Sequence, residues 1–261
     1  MAETGNQIPL TDISRTVESP TTSTIYVPTQ DGGVLFQRVR RQEKVDEMFD
    51  VFPHHWFLVM ADLPKDSLCL LSHHEKITAH GPYALLIPPF SLLHWQFLKP
   101  ALIEFQSLVY PIPYPPEFPQ SACVFPLPVD QRPRTALEIK NILSQNPPLT
   151  VVEKTETYNP LAVKLKKAID RQFTKDKDIA DYATDLNITR DALSKYFRRC
   201  YGLSPMDYRN HLRLSQALLA MLFEPKSVHE ASRQAGFKTL RNFNRQFAKF
   251  ASFQPSKLRS K

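Results

Sequence analysis

Apolar positions along this chain follow two different rhythms. Between Val34 and Val109 they fall in short runs: Val34–Val39, His55–Met60, Leu68–Leu71, Tyr83–Ile87, Leu92–Phe97 and Leu102–Val109. Asp-Gly-Gly, Leu-Pro-Lys-Asp, His-Gly-Pro and Pro-Pro punctuate them. Short apolar or alternating runs between turn-forming residues predict strands, and about six at this spacing predict a small barrel or sandwich. A Pro-rich connector, Pro111-Ile-Pro-Tyr-Pro-Pro, leads to a stretch from Thr135 to Gln145 in which Ala136, Ile139, Ile142 and Leu143 recur at helical spacing. That helix has two surfaces to choose from, the barrel or its twin in a dimer. Residues 1–30 are rich in Ser, Thr and Pro without periodicity, which predicts a flexible arm.

From Asn159 the period becomes helical. Asn159-Pro160 is an N-cap followed by proline at the first helical position. Leu161, Leu165, Ala168, Ile169 and Phe173 then form one apolar face, leaving Lys164, Lys167 and Arg171 in water. Two short helix pairs follow. The first runs Asp178–Leu186, turns at Asn187-Ile-Thr189 and continues Arg190–Cys200; the second runs Ser227–Ala235, turns at Gly236-Phe237 and continues Leu240–Phe250. Ser227 with Glu230 makes a capping box, and Asn187 and Gly236 stand where a sharp turn needs positive φ.

The pairs align at an offset of fifty residues: Leu193 with Phe243, Phe197 with Phe247, Cys200 with Phe250, Pro205 with Pro255. These positions, with Tyr196, make the buried faces. The outward positions correspond too: Asp191 with Arg241, Ser194 with Asn244, Lys195 with Arg245. Two helix-turn-helix units whose second helices expose polar and basic side chains are the pattern of a duplex DNA reader. Between them, Ser204 and Pro205 open a long helix that ends before Pro225. At 1.5 Å per residue it is a rod of about 27 Å. Such a rod can hold two recognition helices near one turn of B-DNA apart, about 34 Å, so that both enter successive major grooves.

Charge sharpens this division. Formally the chain carries +7. Residues 1–150 hold 11 Lys+Arg against 15 Asp+Glu, and residues 151–261 hold 22 against 11, so the halves carry −4 and +11. A basic half suits a polyanionic partner, although charge alone fits a merely solvated lysine-rich surface equally well. The most apolar stretch, Tyr83–Leu98, is shorter than the ~20 residues of a membrane span. The polar start MAETGNQIPL shows no signal-peptide pattern. Three scattered cysteines, Cys69, Cys123 and Cys200, support neither a disulfide framework nor a cysteine-rich zinc module.

Residues 160–261 resemble the DNA-binding domain of the AraC/XylS family of bacterial transcription regulators. The resemblance is carried by Gly202-Leu-Ser-Pro205, Arg213-Leu-Ser-Gln-Ala-Leu-Leu219, Gly236-Phe237 and Phe243-x-Arg245-x-Phe247. Ser252, Leu258, Ser232 and Asn187 depart from the family pattern, each by a small or turn-compatible residue. The resemblance implies an α+β protein of two domains. Residues 31–150 would be a small cupin-like β-barrel plus helix for regulation and dimerisation; residues 151–261 would be an all-α DNA-binding domain with two helix-turn-helix units joined by a long helix. It further implies a transcription regulator in the bacterial cytoplasm, at the nucleoid, with activator and repressor both left open. Its partners would be double-stranded promoter DNA, RNA polymerase, a second copy through the N-terminal domain, and a small-molecule or protein effector. No cofactor and no metal are expected.

Arg190, Asp191, Ser194, Lys195, Arg241, Asn244 and Arg245 are the candidates for base edges. Arg and Lys suit guanine, Asn suits adenine, and Asp accepts from cytosine or orients a neighbouring Arg. Arg198, Arg199, Lys238 and Lys249 are candidates for phosphate, which adds affinity without sequence information. The competing reading of both sets is ordinary solvated helix surface. Trp56, Phe57, Phe90, Trp95 and Phe97 are candidates to line a ligand pocket, or else to fill a ligand-free core. Rival functions are enzymatic. A metal-dependent cupin using His54, His74 or His94 would need ligands on one strand face, and the adjacent pairs His54-His55 and His73-His74 point to opposite faces. A cysteine methyl acceptor held by four zinc-binding cysteines cannot be built from three. The expectation is therefore a protein that is not an enzyme.

Overall fold

The computed structural model describes residues 14–42, 46–65, 67–72, 75–78, 80–111, 113–145, 152–154, 159–224 and 226–258. In chain order the strands are β1 (Arg15–Glu18), β2 (Thr22–Pro28), β3 (Val34–Gln42), β4 (Asp46–Asp50), β5 (His55–Leu63), β6 (Leu68–Ser72), β7 (Glu75–Thr78), β8 (Gly81–Ile87), β9 (Leu93–Phe97), β10 (Ala101–Pro111) and β11 (Cys123–Pro126). Helix α1 (Ala136–Gln145) follows, then β12 (Val152–Lys154). The rest is helical: α2 (Pro160–Gln172), α3 (Ile179–Asp185), α4 (Arg190–Tyr201), α5 (Pro205–Phe223), α6 (Val228–Gln234) and α7 (Leu240–Ala251). This is an α+β chain with a β-rich N-terminal domain and a helical C-terminal domain.

Two antiparallel sheets build the N-terminal domain, in the orders β1-β2-β3-β10-β5-β8-β11 and β12-β7-β6-β9-β4. They face one another across a shared apolar core. Strand β5 shows how the sequence enforces the layering, because side chains alternate across a strand. Phe57, Val59 and Ala61 join the core shared with Leu70, Trp95 and Phe97 of the second sheet. Trp56, Leu58 and Met60 point the other way, into a core closed by Phe118, Phe125 and Ile139 of α1. A strand buried on both faces reads as a continuous apolar run, which is how Trp56–Ala61 reads. Helix α1 therefore uses its apolar face on its own sheet through Ile139, with Ile142 and Leu143 half-buried, while Leu137 stays exposed.

Two sequence expectations are corrected. The expected arm at residues 1–30 contains β1 and β2, which extend the larger sheet, with Val17, Thr24, Tyr26 and Val27 buried. The Ser/Thr richness that resembles disorder includes β-branched Thr22 and Thr24, which suit a pleated strand. Residues 1–13 lie outside the described residues. Residues 152–154 were expected with the C-terminal domain, yet β12 pairs with β7; the expected boundary at 150/151 itself lies outside the described residues.

The core does not stop where the domains meet. Phe57, Trp95 and Phe97 belong to one buried cluster with Leu214 and Leu218 of α5 and Phe243 and Phe247 of α7. Val51 and Leu92 likewise join Leu165, Phe197 and Leu212. Polar ties reinforce this packing. The Arg15 guanidinium donates to the carbonyls of Met221 and Leu258, at 2.9 and 2.8 Å. Lys166 Nζ donates to the Phe90 carbonyl at 2.8 Å and to Asp170, whose other oxygen accepts from the Tyr208 hydroxyl. Burial pushes the Lys166 ammonium down and the Asp170 carboxyl up, their mutual attraction opposing both.

Candidate nucleic-acid interface

Each short helix pair is closed by local chemistry. Asp178 caps α3 in a capping box with Asp181, and Thr189 caps α4 by accepting from the Ala192 amide. In the second unit, Ser227 and Glu230 form the box that opens α6, and Thr239 caps α7 by accepting from Asn242. The turns adopt the expected positive φ, 51° at Asn187 and 87° at Gly236. Gly236 is constrained twice, because a Cβ there would lie 2.3 Å from the Thr174 carbonyl oxygen. That close approach sets the second unit against the end of α2.

The long helix α5 is the frame. It packs against α2, α4, α6 and α7. Two of its arginines are almost fully buried. Arg213 donates to the carbonyls of Phe173 and Lys175, at 2.6 and 2.8 Å, and Arg209 donates to that of Lys177. These carbonyls belong to the end of α2 and the loop before α3, where intrahelical partners run out. Burial and the neighbouring Arg209 charge push the Arg213 guanidinium down to about 10, so it remains protonated at neutral pH. Reading Arg213 only as a motif residue missed this role.

Leu193 and Phe197 on α4, and Phe243 and Phe247 on α7, are completely buried. With those faces inward, Arg190, Asp191, Lys195, Arg198 and Arg199 stand exposed on α4, and Arg241, Arg245 and Lys249 on α7. Ser194 and Asn244, at matching positions, are half-buried. The Oδ1 of Asn244 is buried without a donor. Pairing with adenine uses both ends of the amide, so it would require this oxygen to turn outward. Lys238 is exposed but already paired with Asp176 at 2.5 Å, and that ammonium holds the Asp176 carboxyl below its usual range. Sequence reading also passed over Asn242, whose Oδ1 accepts from both Arg245 and Gln246 at 3.0 Å. It steadies Arg245 in one orientation; the signal was the spacing of three and four residues on one helix.

Residues 182–261 match the model of a helix-turn-helix domain. The C-terminal domain is an AraC/XylS-type helix-turn-helix domain. It is 30% identical over 91 residues to the lactose operon transcription activator of Staphylococcus xylosus, covering 35% of this chain and 33% of that protein. It is 31% identical over 114 residues to the Msm operon regulatory protein of Streptococcus mutans, covering 43% and 41%. The chain thus spans between a third and about two-fifths of the length of these curated relatives. Among solved structures, ToxT from Vibrio cholerae O395 is similar over 85% of this chain and 96% of its own, at 13% identity and a TM-score of 0.45.

A cavity of about 120 Å³ lies where the domains meet. Phe57, Trp95 and Phe97 line it, with Tyr26, Phe36, Arg38, Arg40 and Asp50 from the strands and Phe250–Phe253 from the end of α7. Two of the expected pocket residues lie elsewhere. Trp56 sits on the opposite face of β5, stacked on Tyr110 at 4.8 Å, and Phe90 contacts His54 and Phe173 beside the AraC/XylS-type domain. The candidate metal ligands do not converge. His54 packs on Phe90, while His94 stacks on Phe49 and meets Glu47 at 2.8 Å; His73 and His74 lie outside the described residues. Among the described residues no three His, Cys, Asp or Glu side chains could share a metal, and no helix is long and apolar enough to cross a membrane.

Proposed function

We propose that this protein is a sequence-specific transcription regulator. It lays α4 and α7 into successive major grooves of promoter DNA and is controlled through its N-terminal domain by a small ligand. One observation carries the reading: two capped recognition helices expose basic faces while both are mounted on the buried helix α5. That helix has 19 residues, roughly 28 Å at 1.5 Å per residue, commensurate with one turn of duplex. The two regulators among the relatives support the same reading by name. Both reading elements sit in one chain, so two grooves can be engaged without a dimer. Acting on promoter DNA places the protein in the cytoplasm, and no step in this role needs catalysis.

Control through the cavity follows from its walls, since the strands supply one side and the end of α7 the other. Its volume suits a molecule of about benzene size, given that an apolar cavity near 150 Å³ takes benzene. Arg38 and Arg40 outnumber Asp50 there, which favours a ligand with an anionic or hydrogen-bond-accepting end. Recovering the DNA bound by the protein genome-wide tests the main claim. Discrete promoter sites, each with two short elements about one helical turn apart, are expected. Enrichment no better than random fragments would overturn it.

A further inference from the structure

The two helix-turn-helix units end against the N-terminal domain in different ways. Both second helices close on a left-handed residue, Gly202 after α4 at φ 79° and, fifty residues on, Ser252 after α7 at φ 63°. Glycine adopts that backbone freely, whereas an L side chain carries a penalty in it. Gly202 also donates its N–H to the Arg198 carbonyl at 2.8 Å; among the described residues no such bond closes α7 at Ser252. The surroundings differ too. A Cβ on Gly202 would crowd the Phe49 ring of β4 at 3.1 Å, so α4 ends on a solid wall. The end of α7, Phe250 to Phe253, instead borders the interdomain cavity of about 120 Å³.

The cavity touches the helical domain only there and at Leu218 of α5; among the described residues α2, α3, α4 and α6 give it no wall. Phe250 and Phe253 carry the contact inward, to the Phe247 ring on the buried face of α7, at centroid distances of 6.4 and 5.7 Å. The first unit is anchored on the N-terminal domain elsewhere. Val51 and Leu92 join the cluster of Leu165 and Phe197, and Lys166 holds the Phe90 carbonyl. We propose that occupancy of the cavity acts on the second unit alone, by holding the strained Ser252 cap that positions α7. An occupant packed on Phe250–Phe253 offsets the left-handed penalty and raises the fraction of chains in which α7 is set for DNA. Helix α4, closed by glycine on a filled wall, is already fixed. The inference rests on the DNA-reading function and the cavity control proposed above, and names the unit that is controlled and the residue that conveys it.

The test needs no identified ligand, because a side chain can serve as the occupant. Ser107 lines the cavity from β10, on the same strand face as Phe105, and Ser107→Phe puts a benzene ring into it. The full chain is titrated against a selected duplex and against duplexes in which one or the other element is scrambled, Arg245→Ala marking the element of α7. Ser107→Phe should increase the affinity lost on scrambling the α7 element by up to about fivefold, the factor set by the cost of one left-handed L-residue. The loss at the α4 element should stay unchanged, which also shows that the variant is folded. Ser252→Gly adopts the cap freely and should give the same gain without the ring; adding Ser107→Phe to it should give no more. Equal gains at both elements, no gain from Ser252→Gly, or full additivity of the two substitutions would overturn the inference and leave the regulator reading standing. Should Ser107→Phe not fold, Ser252→Gly decides alone, since its gain must be confined to the α7 element. Failure to select any sequence would overturn both readings.

Discussion

At the scale of single residues, side chains with the same charge have different tasks. Arg245 is exposed and held by Asn242, so under the proposed function it would meet DNA in a prepared orientation. Arg245→Ala should weaken binding to a selected site by ~1–3 kcal/mol and relax specificity at one base pair. Equal losses on selected and random duplexes, measured by titration, would contradict that role. Lys238 carries its charge on a flexible stem and is paired with Asp176; in the proposed function a phosphate would replace that carboxylate. Lys238→Ala should weaken all duplexes alike and reduce the slope of log affinity against log salt by about one. Gly236 shows a different necessity, with φ at 87° and the Thr174 carbonyl where a side chain would begin. Gly236→Ala combines a left-handed backbone with a collision and should cost on the order of 2–4 kcal/mol in denaturant unfolding. Gly236 could be read from sequence because a helix turn with glycine has few alternatives. The Thr174 contact could not, since it joins positions sixty residues apart.

At the scale of elements, legibility follows burial pattern. Helices α2 to α7 match their sequence readings within a residue or two because each has a cap, a stop and one apolar stripe. Strands β4, β7, β11 and β12 were missed. They are three to five residues long, and short strands carry too few alternations to stand out; β4 reads Asp-Glu-Met-Phe-Asp, mostly polar. Helix α5 misleads in the opposite direction, because Arg209 and Arg213 look like surface charges yet are buried. Their partners are backbone carbonyls, which a sequence does not display. Arg213→Met keeps the bulk and removes the donors from two carbonyls. Charged hydrogen bonds contribute about 1.5–3 kcal/mol each, so this variant should lose several kcal/mol of stability. The first helix-turn-helix unit should loosen before the second, because the orphaned carbonyls lie at its entrance. Hydrogen exchange would show the difference as earlier deprotection of α3 and α4 than of α6 and α7.

At the scale of the whole molecule, the −4 and +11 halves are joined by a common core, and the cavity lies within that join. Asp50 faces it from β4. Burial raises its carboxyl, while the charges of Arg38, His211 and Arg40 pull the other way. His211, on α5, is pushed down by its own burial and packs on Phe250 of α7 at 5.6 Å. The cavity's electrostatics are therefore connected to the helix that would read DNA. A carboxyl whose folded pKa is raised favours the native state below its unfolded value, about 3.9, and loses that contribution as pH rises through the folded value. Asp50→Asn removes this titration. Its melting temperature should match the wild type's at low pH and exceed it increasingly as pH rises toward 7; a difference constant across the range would count against a buried, titrating Asp50. The same substitution removes one acid from beside Arg38 and Arg40, Arg40 keeping its pair with Asp46. If the cavity holds a small anion, Asp50→Asn should bind it more tightly at neutral pH and Arg38→Gln more weakly. Calorimetric titration with small carboxylates separates this from mere stabilisation, because stabilisation alone would not give opposite changes in anion affinity.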